Sequence, residues 1–202
     1  QMLNGAGEWV EPNAASISAA AQAGAANGSS ALYGMSEAVP GACDVLTTPT
    51  VVPRAAGDDV GAPSIALPFG MRYFGVTVGA WSASSNGYLQ LWPANGVSAG
   101  VRGGWELPSS RAPWGVVAPF WGDLDVGADD ASVRWQFFPT PAHLTVEWNN
   151  VRPCCDESPD RLTFQAKLFE SGAVEFHYCA AADSPRARGA GASIGMQDTM
   201  GL

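Results

Sequence analysis

Residues 162–179 read LTFQAKLFESGAVEFHYC, and this stretch decides the fold. Apolar residues alternate with polar ones in two runs, which are Leu162, Phe164, Ala166 and Leu168, then Val174, Phe176 and Tyr178. A period of two is typical of a β-strand with one buried side. The letters ESG between the runs are a turn signal. The stretch therefore predicts a β-hairpin that places Leu168 near Val174 and Cys179 near the start of the first strand.

The same period recurs upstream, in SVRWQFF at 132–138 and in HLTVEWNNV at 143–151. By phase, Trp135 and Trp148 fall on the buried sides of these strands. Turn signals separate the runs, as in SNG at 85–87. Short strands at this spacing, without a convincing helix, are typical of antiparallel sandwiches, so we expect about eight to ten strands. The predicted fold class is all-β, an antiparallel β-sandwich of jelly-roll-like type.

Residues 1–55 differ in composition from residues 56–202, which hold the alternating runs. The stretch EPNAASISAAAQAGAANGSSALYG is rich in Ala, Ser and Gly. Asn13 is a suitable N-cap for a short helix over 14–23. An extended segment packed on the body is the alternative, because an alanine face buries little. We therefore predict a sandwich at 56–202 that is preceded by a less regular N-terminal extension.

Charge and composition exclude several classes of partner. The 202 residues include 19 acidic and 10 basic side chains, which gives a net charge of −9. Such a surface repels phosphate backbones and argues against nucleic acid as a partner. No run of about 18 apolar residues is present, so we expect no membrane span. The two histidines and the absence of a CxxC pair argue against a zinc site.

The four cysteines, Cys43, Cys154, Cys155 and Cys179, suit two disulfides in an extracellular protein. The predicted hairpin brings Cys179 near the loop that holds Cys154 and Cys155, so we expect a bond between Cys179 and one of them. The other would bond Cys43 and close a long loop, worth about 4 kcal/mol in the chain-entropy model. A strained bridge between the two neighbouring cysteines and four free thiols are the alternatives.

An acidic cluster follows the apolar run VVAPFW, and it consists of Asp123, Asp125, Asp129 and Asp130. Asp123 and Asp125 point the same way from a strand, about 7 Å apart, and the other two lie in the next loop. Calcium prefers carboxylate oxygens of this kind, although Gly127 stands where an EF-hand has its third ligand. A strand end whose aspartates accept hydrogen bonds from turn amides is the alternative. Calcium at these aspartates is the one cofactor that the sequence suggests.

The sequence contains no arrangement of residues that predicts catalysis. GASIG at 191–195 matches a nucleophile elbow around Ser193, but no histidine follows it, and a closing strand explains the letters. His177 and Cys179 share a strand face, where a histidine beside a disulfide is the simpler interpretation. Paired carboxylates alone do not indicate a glycosidase. We therefore predict that the chain is not an enzyme.

Two of the eight tryptophans, Trp105 and Trp114, lie in the loop sequence VRGGWELPSSRAPWG. A solvent-exposed tryptophan can stack on a sugar face or anchor a protein partner. These residues are therefore candidates for ligand binding. A loop folded over the end of the sandwich is the alternative.

Five motifs in order resemble the nidogen-like (NIDO) domain and related bacterial extracellular modules. They are IALPFGMRYFGVTVGAWSASSNGYLQL, VVAPFWGDLDV, LTVEWNNV, LTFQAKLFESGAVEFHY and ASIGMQD. The resemblance covers roughly residues 62–201 and implies an extracellular, mostly β module of adhesive or matrix proteins, without catalytic activity. A function still has to be argued from a site, because one fold serves many functions.

We expect a secreted, non-catalytic interaction module, on a bacterial surface or matrix, that is used in adhesion or extracellular assembly. Its partner would be another protein or a copy of itself. One alternative is a filament or surface-layer subunit whose apolar N-terminal segment adds a strand to a neighbour's open sheet edge. The other alternative is glycan binding through Trp105 and Trp114.

Overall fold

The computed structural model describes residues 42–92, 107, 109, 113–127, 130–154 and 159–198 in full, and the backbone of residues 2–3, 9–10, 17–21 and 33–37. Within these ranges the chain forms fifteen strands and no helix. The strands are β1 (Met2–Leu3), β2 (Trp9–Val10), β3 (Ile17–Ala21), β4 (Tyr33–Glu37), β5 (Thr50–Val51), β6 (Ile65–Tyr73), β7 (Val76–Ser84), β8 (Tyr88–Trp92), β9 (Val116–Trp121), β10 (Leu124–Asp125), β11 (Ser132–Pro139), β12 (Ala142–Pro153), β13 (Leu162–Phe169), β14 (Val174–Ala181) and β15 (Ser193–Met196). The same part of the chain therefore has no helix that could span a membrane.

Two antiparallel sheets share one apolar core and form a sandwich. The large sheet has the order β4-β3-β14-β13-β12-β11-β5, with β10 attached to β12. The small sheet has the order β15-β9-β8-β7-β6, and β1 and β2 pair separately. The prediction of an all-β antiparallel sandwich is confirmed.

β13 and β14 form the predicted hairpin, with Leu168 opposite Val174. A register shift between Thr163 and Phe164 leaves Cys179 as the extra residue of a β-bulge. Bulges change the direction in which a side chain points. Cys179 thus lies near the start of β13, as expected, but its surroundings are set by the bulge.

Aromatic rings fill the space between the two sheets. Trp148 is fully buried, stacks on Phe164 with ring centroids 5.1 Å apart, and donates its indole N–H to the carbonyl of Ser84. Trp81 of the small sheet meets Trp135 edge to face at 6.0 Å. Trp135 and Trp148 therefore both face the core, as the period predicts, although Trp135 is only partly buried.

Part of each sheet is also covered on its outer side. Tyr88 and Trp121 of the small sheet, 4.6 Å apart between ring centroids, belong to a second apolar cluster against which Leu107 packs. On the large sheet, residues 42–46, which we call the Cys43 segment, lie across polar side chains of β12 and β13. Every residue of β9 is buried, which suits its unbroken apolar sequence, since a strand covered on both faces loses the alternation.

The N-terminal residues extend the large sheet. β3 pairs with β14, with Ala19 opposite Val174, and β4 pairs with β3. The predicted helix over 14–23 is therefore wrong at Ile17–Ala21, where the extended alternative is confirmed; the rest of that range lies outside the described residues. The free edge of β14 explains the difference, because its unpaired N–H and C=O groups gain partners from an added strand, whereas a helix of alanines buries little.

Candidate functional site

Asp125, at one end of the sandwich, is held by an arginine and a turn amide. Its Oδ2 accepts hydrogen bonds from Arg152 Nε at 3.0 Å and Nη2 at 2.5 Å, and its Oδ1 accepts one from the Gly127 N–H at 2.6 Å. The Asp125 side chain is 13% exposed and that of Arg152 is 37% exposed. Both carboxylate oxygens of Asp125 are therefore engaged within the protein, which makes this residue a poor ligand for a cation.

Asp123 has a different environment, since its Oδ1 is buried and has no hydrogen-bond partner. Carboxylate oxygens of Asp58 and Asp123 and the sulfur of Cys154 lie within 4.8 Å of one another. That sulfur belongs to a disulfide, so it is not the thiolate that a metal would need. The arrangement therefore offers a cation two carboxylates.

Asp130, which belongs to the predicted calcium cluster, is not part of this group. Asp130 accepts a hydrogen bond from Asn150 Nδ2 at 2.5 Å, and Asp129 lies outside the described residues. Calcium binding stays a prediction, and Asp58 and Asp123 are the carboxylates that the fold brings together for it.

The predicted SNG turn fixes the corner that carries Asp123. Asn86 is fully buried; its Oδ1 accepts the N–H of Leu124 at 2.9 Å, and its Nδ2 donates to Asp59 Oδ1 at 2.9 Å. The Gly122 N–H donates to the carbonyl of Asn86 at 3.2 Å. The turn thus positions the connection between β9 and β10, where Asp123 lies.

Replacing Asp125 with asparagine is expected to lower the free energy of unfolding at neutral pH by about 1 kcal/mol, since the lost ion pair is partly exposed. Burial raises the pKa of Asp125, but the Gly127 N–H and Arg152 outweigh it and hold the pKa below its ordinary value of 3.8. A carboxylate with a lowered pKa stabilises the fold above its unfolded pKa and loses that contribution as the pH falls through the folded value. The advantage of wild type should therefore begin to shrink at about pH 4 and disappear once the pH lies below the folded pKa.

Urea unfolding of both chains across this pH range measures the difference. Asp130→Asn, which removes an exposed charge at the same end of the sandwich, is the control. A difference between wild type and Asp125→Asn that stays constant with pH would contradict the assigned role of the carboxylate.

On the opposite side of the large sheet from the core, Cys43 is bonded to Cys179, with Cα atoms 5.8 Å apart. The expected bond between Cys179 and Cys154 or Cys155 is therefore wrong. The reason is that β12 continues to Pro153 and pairs there with β10, which carries Cys154 away from β14. Cys154 is itself disulfide-bonded, whereas Cys155 lies outside the described residues.

Asp44, next to Cys43, enters a polar site on this outer face. The site is formed by His143, Thr145 and Lys167, and we call it the socket. Its Oδ1 accepts a hydrogen bond from Lys167 Nζ at 2.9 Å, and its Oδ2 lies 2.5 Å from Thr145 Oγ1 and 3.0 Å from His143 Nε2. Lys167 and His143 are each 6% exposed, and Thr145 is fully buried. Burial raises the pKa of Asp44, but hydrogen bonds from these three side chains outweigh it and leave the pKa below its ordinary value.

The Gln165 side chain holds the backbone of Asp44. Its Oε1 accepts the Asp44 N–H and its Nε2 donates to the Asp44 carbonyl, both at 2.9 Å. Gln165 also donates to Glu147, whose other oxygen accepts from Arg134. The period of two predicts one buried side for β12 and β13, yet their outer side is buried as well, because the Cys43 segment covers it.

His177 and Cys179 do not form a nucleophilic pair. His177 Nε2 lies 2.9 Å from Glu175 Oε2, and Cys179 is oxidised in a disulfide. The hydrogen bond from His177 lowers the pKa of Glu175, with nearby positive charge adding to the effect and burial opposing it. Ser193 lies in β15 and pairs with Trp121, as expected of a closing strand.

Trp114 is 43% exposed, and Trp105 lies outside the described residues. The carbonyl of Trp114 accepts a hydrogen bond from Gln90 Nε2 at 3.2 Å, so its backbone is anchored while the ring reaches solvent. Beside Asp123, at the predicted calcium site, lies a hollow of about 90 Å³ that is lined in part by Asp123 and Arg186. Pockets for organic ligands measure about 300–1,000 Å³, so this hollow has room only for small species such as water.

No local sequence pattern predicts the socket around Asp44. One compositional signal points to it, because Lys167 is the only lysine in the sequence, beside nine arginines. A single lysine in the middle of a strand is unusual when arginine supplies every other positive side chain.

A comparison with protein families gives a match over residues 33–202 to the family described as NIDO related. The match covers β4 to β15 and includes the Cys43 segment and the socket. It begins inside residues 1–55, which differ from the rest in composition. Searches of curated proteins and of solved structures give no match.

Proposed function

Because this chain belongs to the NIDO-related family, we propose that it is a secreted, non-catalytic interaction module used in adhesion or extracellular assembly on a bacterial surface. The family match over residues 33–202 is the observation that carries this proposal. The Cys43–Cys179 disulfide supports an extracellular location, because disulfides persist in oxidising compartments.

The polar groups at one end of the sandwich and on the outer face of the large sheet favour binding over catalysis. Asp125 is paired with Arg152, and Cys179 is bonded to Cys43. Enzyme sites combine an available carboxylate or thiol with a pocket that holds the substrate. The hollow beside Asp123 measures about 90 Å³, which is too small for an organic substrate. These observations support a module that binds a partner at its surface.

Self-assembly by strand addition is the second candidate function. β3 and β4 of the N-terminal segment cover the β14 edge of their own large sheet. A strand that fits this edge within one chain also fits the same edge of a neighbouring copy, and repeated addition builds a filament or layer.

Beads coated with the folded, disulfide-intact chain are expected to attach to the producing cells or their matrix, because a binding surface exists only in the folded state. Beads coated with the reduced and unfolded chain are the control. Equal attachment of both would contradict the proposed function. Treatment with EDTA followed by Ca²⁺ tests the predicted calcium binding in the same assay, with Asp58 and Asp123 as the carboxylates proposed to hold the ion.

Three variants identify the surface responsible for binding. A chain that starts at residue 39 keeps Cys43 and Asp44 but lacks β3 and β4, so strand addition predicts that native mass spectrometry finds oligomers of the full chain only. Trp114→Ala should abolish attachment if glycan binding is the mechanism, and Trp105→Ala tests the second tryptophan. Unchanged attachment by both tryptophan variants would reject the glycan alternative.

A further inference from the structure

The only lysine in the sequence has its amine against a partly buried carboxylate, since Lys167 Nζ lies 2.9 Å from Asp44 Oδ1. The nine other basic positions are arginine. Arginine would serve at least as well in a simple ion pair, because its planar guanidinium binds a carboxylate with two hydrogen bonds. A lysine offers in addition a primary amine, which is a nucleophile when it is desolvated.

We propose that Lys167 Nζ condenses with the side-chain carboxyl of Asp44 to form an intramolecular isopeptide bond, which fastens the Cys43 segment to β13. The Nζ–Cγ bond forms and the Cγ–Oδ2 bond breaks. The ammonium gives up two protons and the carboxylate one oxygen, and these leave together as one water molecule. Atoms and charge balance, and the reaction needs no oxidant, reductant or other reactant. This modification does not depend on the proposed binding function.

The two reacting groups are held in place before they react. The Gln165 side chain bonds both the N–H and the carbonyl of Asp44. The preceding residue, Cys43, is fixed to β14 by its disulfide with Cys179. Well-oriented groups held in this way can reach effective concentrations of about 10⁵ M or more. Positioning of this kind makes a condensation feasible that free amines and carboxylates do not undergo in water.

The oxygen that leaves is held by proton donors. Oδ2 accepts a hydrogen bond from Thr145 Oγ1 at 2.5 Å and lies 3.0 Å from His143 Nε2. His143 Nδ1 lies 2.7 Å from the carbonyl of Pro141, which can only accept, so Nδ1 carries a proton. Nε2 is therefore the nitrogen that faces Oδ2, and when it carries a proton it can donate that proton to the departing oxygen.

The amine has a neighbouring carboxylate that can take its proton. Glu175 lies directly opposite Lys167 in the register of β13 and β14, where side chains are separated by about 5 Å at Cβ. The site is also poor in water, because Lys167 and His143 are each 6% exposed. Since the reaction releases water, a site that excludes water favours the amide over its hydrolysis.

Intact mass spectrometry of the full chain, after reduction and denaturation, tests the bond. The expected mass is lower than the sequence mass by one water molecule. Lys167→Arg keeps the positive charge without the amine and is the matched control, and Asp44→Ala removes the other partner; both should have their full sequence masses. The N-terminal peptide is measured separately, because cyclisation of Gln1 would remove ammonia.

Peptide mapping locates the bond. Trypsin should leave Lys167 uncut in the reduced wild-type chain and release residues 1–54 linked to residues 162–186. A wild-type chain with its full sequence mass would overturn the proposal. So would an amine reagent that, in denaturant, adds one more label to wild type than to Lys167→Arg, since the ε-amine would then be free and the contact with Asp44 an ion pair only.

Discussion

Gly87→Ala is expected to lower the free energy of unfolding by more than about 3 kcal/mol. Gly87 follows Asn86 in the SNG turn and has a φ of +78°. A Cβ at this position would lie 2.0 Å from the carbonyl oxygen of Phe120 and 2.9 Å from its carbon. These atoms belong to the backbone of β9, so they cannot move aside as a flexible side chain would. The left-handed conformation adds about 1–2 kcal/mol to the cost of the contact.

Gly75→Ala is the matched control for this prediction. Gly75 also has a left-handed φ, +80°, but no atom lies within 4 Å of the Cβ that alanine would add. Its substitution should therefore cost only the conformational term, about 1–2 kcal/mol. Urea unfolding followed by tryptophan fluorescence compares the two variants. Equal losses would show that Gly87 is required for its φ alone and that the turn does not lie against Phe120.

Local features of the fold can be predicted from the sequence, because their causes lie within a few residues of one another. The hairpin of β13 and β14 depends on a period of two and on a turn signal, and both are visible in the letters. The same period places Trp148 in the core, where it is fully buried. The SNG letters likewise predict a turn, although they do not show that Asn86 bonds the N–H of Leu124 across 38 positions.

The socket could not be predicted in this way, because its parts are far apart in the sequence. Asp44 meets His143 and Lys167 across 99 and 123 positions. Glu147 and Lys167 are polar residues on the outer side of their strands, a pattern that indicates exposure to solvent. They are buried because the Cys43 segment lies over them, and that segment has no period of its own to predict its path.

The N-terminal strands, too, could not be predicted from local sequence alone. Alanine has the highest intrinsic helix propensity, so the residues around Ile17–Ala21 favour a helix when they are considered alone. The β14 edge supplies a row of hydrogen-bond partners that a local pattern cannot reveal. Tertiary pairing therefore overrides propensity at this position, and the assembly hypothesis uses the same β14 edge.

Removal of the Cys43–Cys179 disulfide is expected to have an effect that depends on Lys167. The disulfide joins residues 136 positions apart, and a loop of that size is worth about 5 kcal/mol in the chain-entropy model. If Lys167 is bonded to Asp44, that bond already closes the long loop. The disulfide then adds only a ring of about a dozen residues, worth about 3 kcal/mol.

Changing Cys43 and Cys179 together to alanine should therefore cost about 5 kcal/mol in the Lys167→Arg chain and about 3 kcal/mol in the chain that keeps Lys167. Denaturant unfolding of the four chains completes a double-mutant cycle. Equal costs in the two backgrounds would mean that Lys167 and Asp44 close no covalent loop. Unequal costs would mean that an amide joins Lys167 to Asp44, and reduction would break the disulfide but not this amide. The Cys43 segment, and with it β3 and β4, would then stay fastened to the large sheet in reducing as well as oxidising surroundings.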